Sequence, residues 1–387
     1  MANGVNNGHG KHILEHGGLQ DLIDTLRGKG YTVIAPVLRE GVVRLGPVKG
    51  IEDISHGIHD EQGPGTYKVV EEEGALMFDY AAALDSAKPF LFPPVQRLYQ
   101  LHVEGERFVL DEGPPMTQKL AFLGLRPCDV AGMKVLDRVF GIDDSRKMRC
   151  EEENYYEQTR RDGLVIVVNC NRPGGTCFCV SMGTGPEALE GFDLALTELR
   201  TGFLVSVGSE RGEQIVKELP VRSPTASEIE LAELKMARAR DRMGRKLDMQ
   251  GVREVLERSI EHPHWDEVAK RCLSCGSCTM VCPACFCSTV SDSTVLDEET
   301  VERDRLWASC FSHQFSYTTA GPVRNSIRGR YRHWLRHKLC TFFDQFGCSG
   351  CVGCGRCITW CPVGIDITQE ATTIQNSEAG SRKEAQG

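Results

Sequence analysis

No stretch of this 387-residue chain holds the roughly eighteen uninterrupted apolar residues that a membrane span requires. The opening MANGVNNGHGKHILEHGG contains no apolar segment of the secretory kind, so a cytoplasmic protein without a membrane span is expected. Basic excess is missing as well. The formal net charge is −9, which argues against nucleic acid as the main partner, because phosphate binding needs a basic surface. Nucleotide and hydrolase signatures are absent too: no GxGxxG follows an apolar strand, and there is no P-loop, GxSxG or HExxH. The nearest glycine cluster, Met182-Gly183-Thr184-Gly185-Pro186, reads as a turn. The eleven histidines show no metal-ligand spacing; His333 and His337 are four apart but lack an acidic companion, and surface positions are expected for both.

Cysteine is what the chain has in excess. Eighteen of them in a reducing compartment are not disulfides, and metal is the use that fits. Two runs repeat one spacing. The first is Cys272-x-x-Cys275-x-x-Cys278-x-x-x-Cys282-Pro283, the second Cys351-x-x-Cys354-x-x-Cys357-x-x-x-Cys361-Pro362. Three thiolates three residues apart, on a loop wound around a small cube, reach three irons of one [4Fe–4S] cluster. In two-cluster ferredoxins the fourth, before proline, ligates the other cluster. The expected assignment is therefore Cys272, Cys275, Cys278 and Cys361 to cluster I, and Cys351, Cys354, Cys357 and Cys282 to cluster II. Gly276, Gly353 and Gly355 are expected to let the backbone pass close to the sulfides. A structural zinc site wants two pairs of ligands, and a run of four ending in Cys-Pro fits that poorly. Cys348, three residues before Cys351, offers a shifted register by spacing alone, although the Cys361-Pro362 ending favours the assignment given. Cys340 and Cys150 have no partner spacing and read as buried free thiols.

The 68 residues between Cys282 and Cys351 carry SIRGRYRHWLRHKLCTFFDQFG, with a helical apolar stripe at Ile327, Tyr331, Trp334, Leu335 and Leu339. An α-helical ferredoxin domain is expected over 266–370. The same segment bears Arg324, Arg328, Arg330, Arg332, Arg336 and Lys338, either as a solvated face, as compensation for anionic clusters, or as a docking surface for an acidic partner.

Residues 1–222 alternate helical and strand patterns: LQDLIDTLRGKG is an amphipathic helix, and YTVIAPVL, KLAFLGL and GLVIVVN are apolar strands of a buried sheet. DLALTEL and FLVSV form a hairpin closed at Arg200-Thr201-Gly202. Pro220 and Pro224 mark a boundary before a helical linker over 223–265, opened by a capping box at Thr225-x-x-Glu228 or Ser227-x-x-Glu230. Residues 371–387 read as a disordered tail. The fold class is thus α+β: an N-terminal α/β domain followed by a helical two-cluster ferredoxin-like domain. Two strands of the N-terminal domain deliver Cys128, Cys170, Cys177 and Cys179 just past their carboxyl ends, where open α/β sheets build sites. These four are candidates for a third metal centre, either iron–sulfur or a zinc staple; buried thiols are the plainer reading. Cys285, Cys287 and Cys310 are further thiols that would bring the ferredoxin domain to that edge.

Taken together, LGLRPCD (123–129), CNRPGGTCFCVSMGTGP (170–186), CPACFC (282–287) and GCVGCGRCITWCPVGIDIT (350–368) resemble the beta subunits of soluble, NAD(P)-linked nickel–iron hydrogenases, or sulfhydrogenases. They are similar too to the electron-transfer component of anaerobic sulfite reductases. The likeness spans roughly residues 80 to 370, by motif spread over both halves. It implies a non-catalytic electron-transfer subunit with two [4Fe–4S] clusters, working with a flavin- and NAD(P)-binding subunit, plus hydrogenase small and large subunits. It supports the exchanged fourth ligands. A rival reading makes the N-terminal domain a sulfur or polysulfide reductase acting through Cys128, Cys177 or Cys179.

Overall fold

The computed structural model describes residues 10–105, 107–111, 118–142, 153–295 and 300–384. Eight strands build the central sheet: β1 (Lys11–Leu14), β2 (Thr32–Arg39), β3 (Val42–Val48), β4 (Leu120–Leu125), β5 (Leu164–Val168), β6 (Leu194–Leu199), β7 (Gly202–Val207) and β8 (Val221–Arg222). Their order is β8-β1-β7-β6-β5-β4-β2-β3. β2, β4, β5 and β6 run parallel, and antiparallel strands close both margins. Every residue of β4 and β5 is buried, as the continuous apolar runs require of parallel strands covered on both faces. The helix Gly18–Gly28 covers one face through Leu19, Leu22, Ile23 and Leu26, a helical stripe in the sequence. The β6–β7 hairpin pairs Leu199 with Gly202, and the Thr225/Glu228 capping box opens the helix Ala226–Asp241.

Two expectations need correction. The stretch between the cysteine runs is helical only from Ile327 onward. Before that, Ser288–Val295 and Thr300–Trp307 form an antiparallel pair, and the second strand pairs with Val95–Glu104. STVSDSTV is rich in β-branched residues, which suits a strand, and residues 288–294 are all exposed. A four-stranded sheet thereby joins residues on either side of the expected boundary at 222. The expected disordered tail is mostly helix: Ile367–Glu384 is anchored by Ile367, Ala371 and Ile374, all buried in the C-terminal core. No helix among the described residues is long and apolar enough to cross a membrane.

Three of the four buried apolar clusters among the described residues bear on the site. One underlies the central sheet. A second, around Trp265, Tyr331, Trp334, Leu335 and Ile358, lies under the cysteine runs. The third holds Cys128, Cys179, Cys282, Phe342 and Cys354 together, so it packs the strand-end loops against both runs.

Candidate metal centres

The two cysteine runs fold as copies of one device. Cys272 Sγ accepts the Ser274 amide at 3.4 Å, and Cys351 Sγ accepts the Gly353 amide at 3.4 Å. Ser274 and Gly353 both take positive φ, 53° and 66°. Each run then enters a one-turn helix, Ser277–Met280 or Arg356–Thr359, from a left-handed glycine. The fourth sulfurs are likewise served: the Ala284 amide donates to Cys282 Sγ at 3.4 Å and the Ile365 amide to Cys361 Sγ at 3.3 Å. Backbone donors aimed at sulfur favour thiolate, the form that ligates metal.

The sulfurs sort into two sets. Cys272, Cys275, Cys278 and Cys361 line one cavity, together with Cys357, Phe311, Tyr331 and Trp334. After burial, the charges of Cys361 and Cys275 are what push the Cys272 thiol up; Cys310, then Cys272 and Cys361, do the same at Cys278. In the other set, burial raises Cys351 to about 12, and Lys338 opposes it. Cys351, Cys354 and Cys282 add to the burial that lifts Cys357. The fourth cysteine of each run thus keeps company with the first three of the other.

The cavity suits an anionic iron–sulfur cube. Arg330 Nε and Nη1, Tyr331 Oη and Trp334 Nε1 are buried and find no hydrogen-bond partner among the described residues. Tyr331 and Trp334 line the cavity, and the Arg330 charge acts on Cys272. Three orphaned donors beside four thiols are what sulfide and thiolate acceptors would satisfy. Among the described residues no three histidine, cysteine or acidic side chains converge tightly enough for a single metal ion. A cube carries its ligands on separate irons, so its thiols stand farther apart than those of a mononuclear site.

The second set lies deeper and is surrounded by cations. Lys338 Nζ donates to Cys282 Sγ at 3.2 Å. Burial would depress this ammonium, but the Cys282 thiolate, with Cys285 and Cys351 beside it, outweighs burial and holds it well above its ordinary value. Lys88 Nζ, from the N-terminal half, donates to the Thr279 and Met280 carbonyls at 3.4 and 3.1 Å, and lies 3.9 Å over the Trp307 ring. Cys282 is pulled well below its usual range, first by a hydrogen bond from Cys285, then by Lys338 and Lys88 against burial. Arg356 forms a buried ion pair with Asp129 at 2.7 Å and donates to the Ala83 and Asp85 carbonyls at 2.7 and 3.1 Å.

The N-terminal thiols approach this second set. Cys128 occupies the first turn of the helix Pro127–Val139. Cys177 Sγ lies 3.7 Å from the Cys354 carbonyl oxygen, and the Phe178 amide donates to the Gly353 carbonyl at 2.8 Å. A Cβ on Gly353 would meet the Cys179 backbone at 2.7 Å, and one on Gly355 the Thr176 carbonyl at 2.5 Å. These glycines therefore admit the 176–179 loop. The Cys170 thiol donates to the Arg172 carbonyl at 3.3 Å and acts by charge on Cys177 and Cys179.

Other expectations resolve individually. Of the basic stretch, Arg328 and Arg332 pair with Glu261, whereas Arg330 and Lys338 are buried, so one segment serves both the solvated and the compensating role. His333 and His337 are half-buried and stacked at 5.5 Å and 12°, where the helix passes into a wider π-turn at His337–Thr341; surface positions do not describe them. Cys348 borders a groove with Cys351 and Val352, Cys340 is buried, and Cys150 lies outside the described residues. Lys88 and the hairpin Ile58–Gly63/Thr66–Glu71 were not legible as parts of the site. The hairpin reaches the second run through Gly65, whose amide donates to the Ile358 carbonyl at 3.0 Å, and through Tyr67 stacked on Trp360. Lys338 did carry a signal: it stands four residues after Trp334, on the apolar stripe itself.

Comparison with known proteins agrees with this geometry. The family model for a 4Fe-4S dicluster domain matches residues 271–365. Sulfhydrogenase 2 subunit beta of Pyrococcus furiosus is 31% identical over 306 residues, covering 78% of this chain and 86% of that protein. No solved structure matches the chain.

Proposed function

Because the chain belongs to the family of sulfhydrogenase beta subunits, iron–sulfur subunits that carry electrons, we propose that it relays electrons within a multi-subunit complex. Its donor and acceptor are a flavin- and NAD(P)-binding subunit on one side, and the small and large subunits of a nickel–iron hydrogenase on the other. Flavin accepts hydride as an electron pair, and clusters that pass one electron at a time link it to a distant catalytic site. The observation that supports this reading is that Cys361 shares a cavity with Cys272, Cys275 and Cys278, while Cys282 acts by charge on Cys351, Cys354 and Cys357. In it, Cys272, Cys275, Cys278 and Cys361 hold one [4Fe–4S] cluster; Cys351, Cys354, Cys357 and Cys282 hold the second. Cys128, Cys170, Cys177 and Cys179 are proposed as a third centre, favoured by their mutual charge effects and by the packing of Cys128 and Cys179 beside Cys354. Iron analysis decides that point: about twelve irons per chain support it, and about eight remove it.

The rival reading of a catalytic thiol is disfavoured by burial. It pushes Cys128 and Cys177 well above the ordinary thiol range and Cys179 to about 12, the wrong direction for a nucleophile. Strictly anaerobic affinity purification of the chain from its own host, with mass spectrometry of the associated proteins, tests the relay. Recovery of a flavin protein together with a nickel-site large subunit supports it. A siroheme-type subunit would instead assign the chain to sulfite reduction. Recovery of the chain alone, clusters intact, removes the relay reading.

A further inference from the structure

Lys338 is 5% exposed and sits on the π-turn His337–Thr341. Burying an ammonium costs several kcal/mol unless an anion compensates. The anion that faces this ammonium is the Cys282 thiolate. Its Nζ donates to Cys282 Sγ at 3.2 Å and to the Gly350 carbonyl at 3.1 Å. The backbone of the same residue grips the second run as well: its carbonyl accepts the Gly350 amide at 2.9 Å and the Ser349 hydroxyl at 3.1 Å. One residue therefore ties the last cysteine of the first run to the head of the second. A π-turn re-aims the side chains of a helix and is frequent at functional sites. An apolar side chain would fill this position without the desolvation cost, so packing alone does not account for a lysine here.

We propose that Lys338 is a positioning residue for the deeper cluster: a fixed cation that holds Cys282 against the second run and raises that cluster's reduction potential. Reduction adds one negative charge to the cluster. A cation in a low-dielectric interior stabilises the reduced form more than the oxidised one, and hydrogen bonds to sulfur act in the same direction. The proposal rests on the reading of Cys282 as a ligand shared with Cys351, Cys354 and Cys357.

The test is an anaerobic redox titration of the full chain, followed by electron paramagnetic resonance, with iron counted in each sample. In Lys338→Met, at a fixed potential near the wild-type midpoint, the reduced-to-oxidised ratio of one cluster falls at least about tenfold, about 59 mV for a one-electron couple. The other cluster stays where it was, and Lys338→Arg returns most of the shift. Unchanged midpoints in Lys338→Met, or equal shifts in the Met and Arg variants, would overturn the proposal. Should Lys338→Met assemble only one cluster, Lys338→Gln carries the same readout; loss of that cluster in Gln and Arg variants alike overturns the role of charge. Cys282→Ala is titrated in parallel: full iron retention there refutes the ligand assignment, separately from the lysine.

Discussion

The two thiol sets share a spacing and a backbone geometry, yet their surroundings differ in kind. The set completed by Cys361 borders solvent: Cys275 is exposed, and so are Leu273 and Val363 beside it. Its inner wall is aromatic, with the donors of Tyr331 and Trp334 and the guanidinium of Arg330 beside it. The set completed by Cys282 has no exposed cysteine, is flanked by Lys88, Lys338 and Arg356, and touches the strand-end loops that hold Cys128 and Cys179. Ligand type being equal, potential follows hydrogen bonding, burial and nearby charge. A duplicated motif can therefore give two unequal electron sites, one at the surface and one against the neighbouring domain.

The largest expected effect breaks the comparison at its root. With exchanged fourth ligands, Cys282→Ala loses the deeper cluster and Cys361→Ala the surface one, each removing about four irons and one resonance signal. If each substitution instead damages the cluster of its own run, the pairing is wrong. A smaller effect concerns the ion pair between Arg356 and Asp129, which anchors the deeper set to the N-terminal domain. Arg356→Met leaves a buried carboxylate uncompensated and should destabilise the protein by about 3–5 kcal/mol. Anaerobic thermal melts read the loss. The Asp129→Asn/Arg356→Met double variant should recover part of it, since the two residues act as a pair. A double variant as unstable as the sum of the singles would mean that the carbonyl contacts to Ala83 and Asp85 carry the stability.

The contrast also marks what the sequence could and could not reveal. The cysteine runs were legible because ligand spacing is local, and β4 and β5 because continuous apolar runs belong to buried parallel strands. The pairing of Thr300–Trp307 with Val95–Glu104 was not, because strand partners about two hundred residues apart leave no local trace. The helical reading of Ile367–Glu384 was missed because its buried apolar residues among those described, Ile367, Ala371 and Ile374, make too sparse a stripe against a polar background. The roles of Lys88 and Arg356 depended on tertiary contacts. Lys338 differed: a charge on an apolar stripe is a local conflict, and local conflicts tend to mark functional sites.

The smallest expected effect sits on the helix that carries both Arg330 and Lys338. His333 is held down to about 4, against an ordinary 6.5, first by burial and then by Arg324, His337 and Arg336. Its folded-state pKa is thus depressed, and the fold prefers the neutral ring. As pH falls through 6.5 the unfolded chain takes up a proton that the folded chain refuses, so stability declines, and the decline ends once pH passes about 4. His333→Gln removes that term. The melting temperature of the wild type should therefore drop more between pH 7 and pH 5 than that of the variant. Because His337 is depressed as well, first by burial, a residual slope should persist in the variant. Equal slopes would mean that this helix opens to solvent at His333, and that the boundary between the two clusters is looser than the burial of Lys338 implies.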